Sequence, residues 1–187
     1  MTTPPAPSAG LSPYVTPAVN RDALCTARHS TGMQEVHVLL RRSTMALNRA
    51  EREQFLAEPH IAALAVDSGE GGRRAPLTVP IWYQYEPGGD VWIMTERDSR
   101  KAKLIGAAGR FSLMVERLEP TVRYVSVEGP VVATEAATRE QLHEMASRYL
   151  PAEKVDGYVE TSWKEHGEQV VIRLSPERWV SSDLGSV

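Results

Sequence analysis

The chain has 187 residues, of which 42% are apolar and 24% charged, and its formal net charge is −3. This length suits one well-buried domain plus a tail, and the acidic balance argues against general affinity for nucleic acid. No apolar run approaches the ~18 residues that span a bilayer, and a lone cysteine, Cys25, excludes an intramolecular disulfide. We therefore expect a cytoplasmic protein that binds neither membranes nor nucleic acid.

Residues 1–45 differ in composition from the rest of the chain. The first 17 residues, MTTPPAPSAGLSPYVTP, contain five prolines and no usable hydrophobic periodicity, which predicts a disordered N-terminal tail. Many arginines and few acids faintly suggest a transit peptide, while translation from Met33 or Met45 is at least as consistent with the sequence. We assign the folded domain to residues 46–187.

The first part of this domain combines a short helix with strand signals. Asn48 and Glu51 have the spacing of a capping box, and Pro59 ends the helix that they begin. The run IAALAV predicts a buried strand. A hairpin is predicted by the runs LTVPIWYQYE and DVWIMT, which flank a Pro-Gly-Gly turn.

The second part continues with a helix that begins at Ser99 and two strands, RFSLMVE and VRYVSVEGPVVAT. Thr138 and Gln141 begin a third helix that Pro151 ends, and a less regular helical region covers residues 152–166. EQVVIRLSPERWVSSD supplies a last strand or pair. Six or seven strands with few helices predict a mainly β (α+β) fold, a closed antiparallel barrel with helical decorations.

The start of the second helix has an unusual charge pattern. Ser99 is a typical N-cap, yet Arg100, Lys101 and Lys103 put three cations where the helix dipole disfavours them. An anion bound to the free N–H groups of this helix start would make the cations favourable. Side chains that simply point into water explain the same pattern, so the charges alone leave both interpretations open.

The segment from Thr95 to Leu113 reads T-x-x-x-S-R-K-A, followed by a predicted helix and a strand that reads R-x-S-L. This segment resembles the phosphate-binding pattern of the pyridoxamine 5′-phosphate oxidase-like split-barrel flavoproteins. PHIAALAV, RYVSVEGPVV and VIRLSPERWVSSDLG are also similar to members. The resemblance covers about Arg49 to Asp183 and implies a split antiparallel β-barrel with a few short helices, present as a homodimer.

The resemblance also implies where a cofactor binds. Arg100 and Lys101 would hold the cofactor phosphate, with Ser99 and Thr95 as hydroxyl partners and Lys103 close by. The cofactor ring would lie along a strand and meet its backbone groups at Val79, Pro80, Ile81 and Trp82. In the family the ring lies at a two-fold interface, which implies that two further residues reach in from the partner subunit, Arg123 and Tyr124.

The sequence departs from the true pyridoxamine phosphate oxidases. Thr78 and Tyr83 stand where those enzymes have an Arg for the phosphate and a Lys for the substrate, and the C-terminal segment that grips the substrate is missing. TVPIWYQY is more similar to the actinobacterial branch, many of whose members use coenzyme F420, a deazaflavin, in place of FMN. We favour F420, whose acidic tail would meet Lys103 and Arg97, or the loop pair Arg73 and Arg74.

The resulting prediction is an oxidoreductase that transfers a hydride between F420 or FMN and a small conjugated or aromatic substrate. The cofactor supplies the redox chemistry, so we assign no catalytic side chain. Trp82, Tyr83 and Trp92 are candidates to line the cleft, although ordinary barrel packing also explains them. A non-catalytic flavin- or tetrapyrrole-binding carrier and a plain protein-interaction barrel remain alternatives.

Other sequence signals are weaker. Glu140-x-x-His143 matches half of a di-iron motif without its further ligands, so we expect a surface pair and no metal site. The chain has neither a G-x-x-x-x-G-K-[ST] loop nor a G-x-G-x-x-G fingerprint, so the sequence supports neither a P-loop nor a Rossmann site.

Overall fold

The structure is a computed structural model that describes residues 46–185. Four helices lie in this range: α1 (Arg49–Ala57), α2 (Arg100–Ala108), α3 (Arg139–Tyr149) and α4 (Ala152–Glu165). It also contains eight strands: β1 (Ala62–Val66), β2 (Leu77–Ile81), β3 (Tyr83–Gln84), β4 (Val91–Glu96), β5 (Arg110–Arg117), β6 (Arg123–Ala136), β7 (Gln169–Leu174) and β8 (Arg178–Asp183). The predicted disordered tail, residues 1–45, lies outside the described residues.

The strands form one antiparallel sheet that curls into a half-barrel. Their order is β2-β1-β5-β6-β7-β4-β3, and β8 also pairs with β6. The first half of β6 pairs with β5 and β8, and its second half pairs with β7 after a register shift between Val131 and Ala133. The predicted mainly β (α+β) fold, a split antiparallel barrel with a few helices, is therefore confirmed, whereas the homodimer stays a prediction.

The connection between β7 and β8 passes close to β6. There the N–H of Ser175 donates to the carbonyl of Pro130 and the N–H of Glu177 to that of Glu128, both at 3.0 Å, so the chain crosses closely over Gly129. A Cβ atom on Gly129 would lie 1.8 Å from the carbonyl oxygen of Ser175. Glycine is required here because no side chain fits.

Both predicted capping boxes are present. The side chain of Asn48 accepts from the N–H of Glu51 at 3.0 Å, and the Glu51 carboxylate accepts from the N–H of Asn48 at 2.8 Å. Thr138 and Gln141 make the same reciprocal pair at the start of α3. These caps satisfy backbone N–H groups that the first helical turn leaves without partners.

The structure differs from the prediction in two places. It has eight strands rather than six or seven, because the run from residue 77 to 86 is interrupted at Trp82, while the last segment forms the pair β7 and β8 that the sequence allowed. The region predicted to be less regular is the continuous helix α4 of 14 residues. Its regularity follows from the burial of Val155 and Val159, one turn apart, against Leu142 and Ala146 of α3.

Two apolar clusters hold the helices and strands in place around the cleft that is described below. The main core joins the inner faces of the strands to Phe55 and Leu56 of α1 and Ile105 of α2. The cluster between α3 and α4 packs on β4 through Met94. None of the helices in residues 46–185 is long and apolar enough to cross a membrane.

Candidate functional site

A cleft of about 490 Å³ opens between the end of β2, the end of β4, the start of α2 and the α3–α4 pair. Some of the predicted site residues line this cleft, namely Pro80, Ile81, Trp82, Thr95, Ser99 and Lys101. The remaining ones, Val79, Arg100, Lys103, Arg123 and Tyr124, are not part of its lining.

The start of α2 has the geometry that the sequence predicts. Ser99 has extended backbone, and its Oγ accepts a hydrogen bond from the N–H of Ala102 at 3.3 Å. The Oγ1 of Thr95, at the end of β4, lies 3.1 Å from Ser99 Oγ. The N–H groups of Arg100 and Lys101 precede the first acceptor that an α-helix supplies, so they are available to a ligand. This arrangement suits an anion.

The three cations of the first turn have different surroundings. Lys101 is half-buried and lines the cleft, and within residues 46–185 it forms no ion pair. Arg100 is exposed and equally lacks an ion-pair partner among these residues. Lys103 Nζ lies 3.3 Å from Asp98 Oδ1 at the surface. The charge of Lys103 is thus partly balanced within the chain, whereas the charge of Lys101 faces the cleft.

The end of β2 forms the opposite, apolar wall of the cleft. Pro80, Ile81 and Trp82 line it, while Val79 is half-buried and packs against the main core. The indole of Trp82 stacks on the ring of Tyr149, with centroids 4.9 Å apart and an interplanar angle of 10°. The wall therefore presents a rigid aromatic surface.

Tyr149 of α3 supports this wall at the point where β2 ends and β3 begins. Its hydroxyl oxygen accepts from the N–H of Tyr83 at 3.0 Å. The same hydroxyl lies 2.8 Å from the carbonyl oxygen of Tyr83 and 3.1 Å from that of His60, either of which can accept its proton. Burial raises the pKa of Tyr149, so the phenol remains protonated and able to donate at neutral pH.

Comparison with known proteins agrees with the fold. Residues 49–183 match the protein family described as pyridoxamine 5′-phosphate oxidase. The chain belongs to the pyridoxamine 5′-phosphate oxidase family. A search among curated proteins found no match.

Solved structures of this family's fold are similar to the chain over most of their length. Protein Rv2991 of Mycobacterium tuberculosis is 24% identical with a TM-score of 0.55, covering 76% of this chain and 88% of that one. An F420 reductase is 21% identical with a TM-score of 0.53, covering 68% and 94%. A FAD-binding protein of Mesorhizobium loti is 17% identical with a TM-score of 0.50, covering 74% and 97%. At these identities the similarity establishes the fold.

The two residues assigned to the family's subunit interface lie away from the cleft of their own chain. Arg123 donates to Asp183 Oδ2 at 2.6 Å, and this hydrogen bond holds the pKa of Asp183 below its usual range. The guanidinium of Arg123 also lies 5.8 Å from the ring centroid of Phe55. Tyr124 is half-buried on β6, opposite Ser182 of β8. Neither residue therefore lines the cleft of its own chain.

The aromatic candidates separate into one cleft residue and two packing residues. Trp82 lines the cleft. Tyr83 is fully buried, and its hydroxyl lies 2.7 Å from the carbonyl of Leu56 and 3.0 Å from that of Glu58. Trp92 is buried beside Met145. Ordinary packing therefore accounts for Tyr83 and Trp92.

Sequence reasoning did not find the third wall of the cleft, which the α3–α4 pair and the start of β7 supply. Its residues are Leu142, Met145, Tyr158, Ser162, His166 and Gln169. His166 Nδ1 lies 3.0 Å from Glu96 Oε1, and this contact ties the end of α4 to the end of β4. No local signal could have placed these residues at the site, because their partners are on distant segments of the chain.

The half-motif Glu140-x-x-His143 lies on the surface of α3. His143 Nε2 is 3.4 Å from Asp156 Oδ1, and its Nδ1 is 3.3 Å from Ser147 Oγ. Among the described residues, no group of three or more His, Cys, Asp or Glu side chains is placed to hold a metal ion.

Proposed function

We propose that the protein is an oxidoreductase that holds coenzyme F420 or FMN in this cleft and passes a hydride between that cofactor and a small conjugated or aromatic substrate. The observation that carries the proposal is a half-buried Lys101 that forms no ion pair within residues 46–185 and lies at a helix start facing the wall of Trp82. The cofactor, when bound, supplies the redox chemistry of its ring.

The chain's own residues then bind and orient. Lys101 and the first N–H groups of α2 hold the phosphate, while Ser99 and Thr95 contribute hydroxyl groups at 3.1 Å from each other. Trp82 and its neighbours on β2 offer a flat apolar surface to a planar ring. The α3–α4 pair borders the cleft on the other side.

We favour F420 over FMN. The TVPIWYQY run, which resembles the deazaflavin-using branch, and the structural relative described as an F420 reductase support this choice. The proposal also includes FMN, because one structural relative is described as a FAD-binding protein. The acidic tail of F420 would compete with surface carboxylates for their cations, since Arg97 pairs with Glu168 at 3.0 Å and Lys103 with Asp98 at 3.3 Å.

We also propose a homodimer with Arg123 and Tyr124 at the partner's cleft. Support comes from the outer face of the sheet, where small and apolar side chains pair across four strands in the row Ala63, Met114, Ser126 and Val180. Met114 is 36% exposed and Val180 61%, so a second copy would bury apolar surface. Sedimentation velocity should give a dimer, with Ser126→Arg shifting it to monomer; a monomeric wild type would contradict this proposal.

The direct test of cofactor binding is a fluorescence titration of the purified protein with F420 and with FMN. Lys101→Ala removes one charge-assisted phosphate contact, which should cost about 1.5–3 kcal/mol, or roughly 10- to 150-fold in affinity. Lys154→Ala, an exposed lysine of α4, is the matched control and should bind as the wild type does. If neither cofactor binds at micromolar concentration, the proposal is wrong.

A turnover assay separates the enzyme from a carrier. The protein is loaded with reduced cofactor and mixed with a panel of quinone and nitroaromatic acceptors. Oxidation that depends on the acceptor and is lost in Lys101→Ala supports the oxidoreductase. Tight binding with no oxidation by any acceptor favours the flavin- or tetrapyrrole-binding carrier instead.

A further inference from the structure

Ser162 of α4 lines the cleft with a hydroxyl that forms no hydrogen bond within residues 46–185. The residue is 5% exposed, but its Oγ is not among the buried polar atoms that lack a partner in this part of the chain, so it reaches the open space of the cleft. A helical serine commonly donates to the carbonyl one turn earlier, but the carbonyl of Tyr158 does not receive this bond. The hydroxyl is therefore free to form a hydrogen bond with a molecule in the cleft.

Gln169, at the start of β7, also lines the cleft with a polar side chain that has no partner in residues 46–185. Its backbone carbonyl accepts from the N–H of Ala137 at 2.9 Å, but its half-buried carboxamide has no partner in the described part of the chain. Gln169 is the Cα partner of Glu96, which is bonded to His166. The N–H of His166 donates in turn to the carbonyl of Ser162 at 3.1 Å. Ser162 and Gln169 therefore flank the Glu96–His166 pair.

This part of the cleft adjoins the proposed phosphate site, because Glu96 directly follows Thr95 on β4. The Glu96 carboxylate makes it a poor position for a second anion. A serine hydroxyl and a glutamine carboxamide are neutral and can each donate and accept hydrogen bonds. They match a ligand segment that also does both, such as a chain of hydroxyl groups.

We propose that Ser162 and Gln169 form a hydrogen-bonding subsite for the polyol chain that joins the ring of the cofactor to its phosphate. The subsite rests on the proposed function, since it assumes that the cofactor ring lies at β2 and the cofactor phosphate at the start of α2. His166 is a positioning residue here, because its contact with Glu96 fixes the last turn of α4. A bound polyol chain would give the Ser162 hydroxyl a hydrogen-bond partner, which residues 46–185 do not supply.

The test compares three ligands that differ by one part each: FMN, riboflavin without the phosphate, and lumiflavin without the polyol chain. Ser162→Ala should weaken FMN and riboflavin about three- to tenfold and leave lumiflavin within about twofold of the wild type. Gln169→Leu should give the same selectivity. Lys101→Ala should weaken FMN but not riboflavin. The neighbouring exposed Thr161→Ala is the control and should change none of the three.

A second measurement separates a ligand contact from a structural role. Ser162→Ala removes no hydrogen bond within residues 46–185 and places a better helix former in α4, so the melting temperature of the ligand-free protein should stay the same or rise. A fall of about 3 °C or more would show that the hydroxyl stabilises the fold and would overturn the inference.

The remaining outcomes are distinct. Equal affinity of Ser162→Ala and wild type for all three ligands overturns the subsite alone, as does an equal loss for lumiflavin, which would place the contact on the ring. A wild type that binds neither flavins nor F420 overturns the proposed function and the subsite with it. If only the deazaflavin binds, F420, its phosphate-free deazariboflavin chromophore and the N10-methyl deazaflavin replace the three ligands.

Discussion

Tyr149→Phe isolates the hydroxyl that links α3 to the interruption between β2 and β3. The phenylalanine ring can keep the stack on Trp82 at 4.9 Å, so the change removes little apolar contact. What disappears is the acceptor for the N–H of Tyr83, at 3.0 Å, and the donor shared between the carbonyls of Tyr83 and His60. One N–H group and one carbonyl group are then left without this partner.

The expected cost follows from these two groups. Losing a hydrogen bond while its partner stays buried costs ~1–3 kcal/mol. The N–H of Tyr83 and the two carbonyls are only partly buried, and the two carbonyls share one hydroxyl proton. We therefore expect the free energy of unfolding to fall by about 1.5–3 kcal/mol, which in a domain of this size lowers the melting temperature by roughly 5–10 °C. Cofactor affinity should fall too, because Trp82 loses its fixed support.

The assay is urea denaturation followed by tryptophan fluorescence, with Tyr158→Phe as the matched control. The ring of Tyr158 lies 5.5 Å from Trp82 in the same aromatic group, but its hydroxyl has no hydrogen-bond partner within residues 46–185 and the residue is 37% exposed. Tyr158→Phe should change stability by less than about 0.5 kcal/mol. Equal effects of the two substitutions would refute the reasoning, because it assigns the difference to the hydrogen bonds of Tyr149 alone.

Three further predictions test the fold around the site. Gly129→Ala should prevent folding or cost more than about 4 kcal/mol of stability, because its Cβ would lie 1.8 Å from a backbone oxygen, whereas Gly157→Ala, in open space on α4, should stabilise the protein by about 0.5–1 kcal/mol. Equal melting temperatures of the two variants, measured by circular dichroism, would contradict this prediction. Arg148→Met should cost about 2–3 kcal/mol in urea denaturation because the guanidinium donates at 2.6 and 3.2 Å to carbonyls at the end of α1, and an unchanged midpoint would rule out that anchoring. Burial lowers the pKa of His60, so as the pH falls the imidazole is protonated in the unfolded chain before it is protonated in the folded one, and stability should fall below about pH 6.5. Between pH 7.5 and pH 5.5, His60→Asn should therefore lose less stability than the wild type.

Local sequence signals predicted most of the secondary structure and one end of the site. The caps at Asn48, Ser99 and Thr138 depend on residues three positions apart, so their spacing can be read directly from the chain. Alternating and apolar runs located the strands for the same reason. The family resemblance then predicted a phosphate site at the start of α2, and the structure places Ser99 and Lys101 of this segment on the lining of the cleft.

The tertiary structure decided what depends on contacts between distant segments. The interruption at Trp82 is supported by a tyrosine 66 residues beyond Tyr83, and Gly129 is required by a carbonyl of the crossing chain at Ser175. The α3–α4 wall, with the hydroxyl of Ser162, becomes part of the cleft only when Met94 and Glu96 of β4 hold it there. The sequence by itself determined the local elements and the cationic helix start, because their causes lie within a few residues. The cleft and its third wall were decided by packing, since only the folded chain brings these groups together.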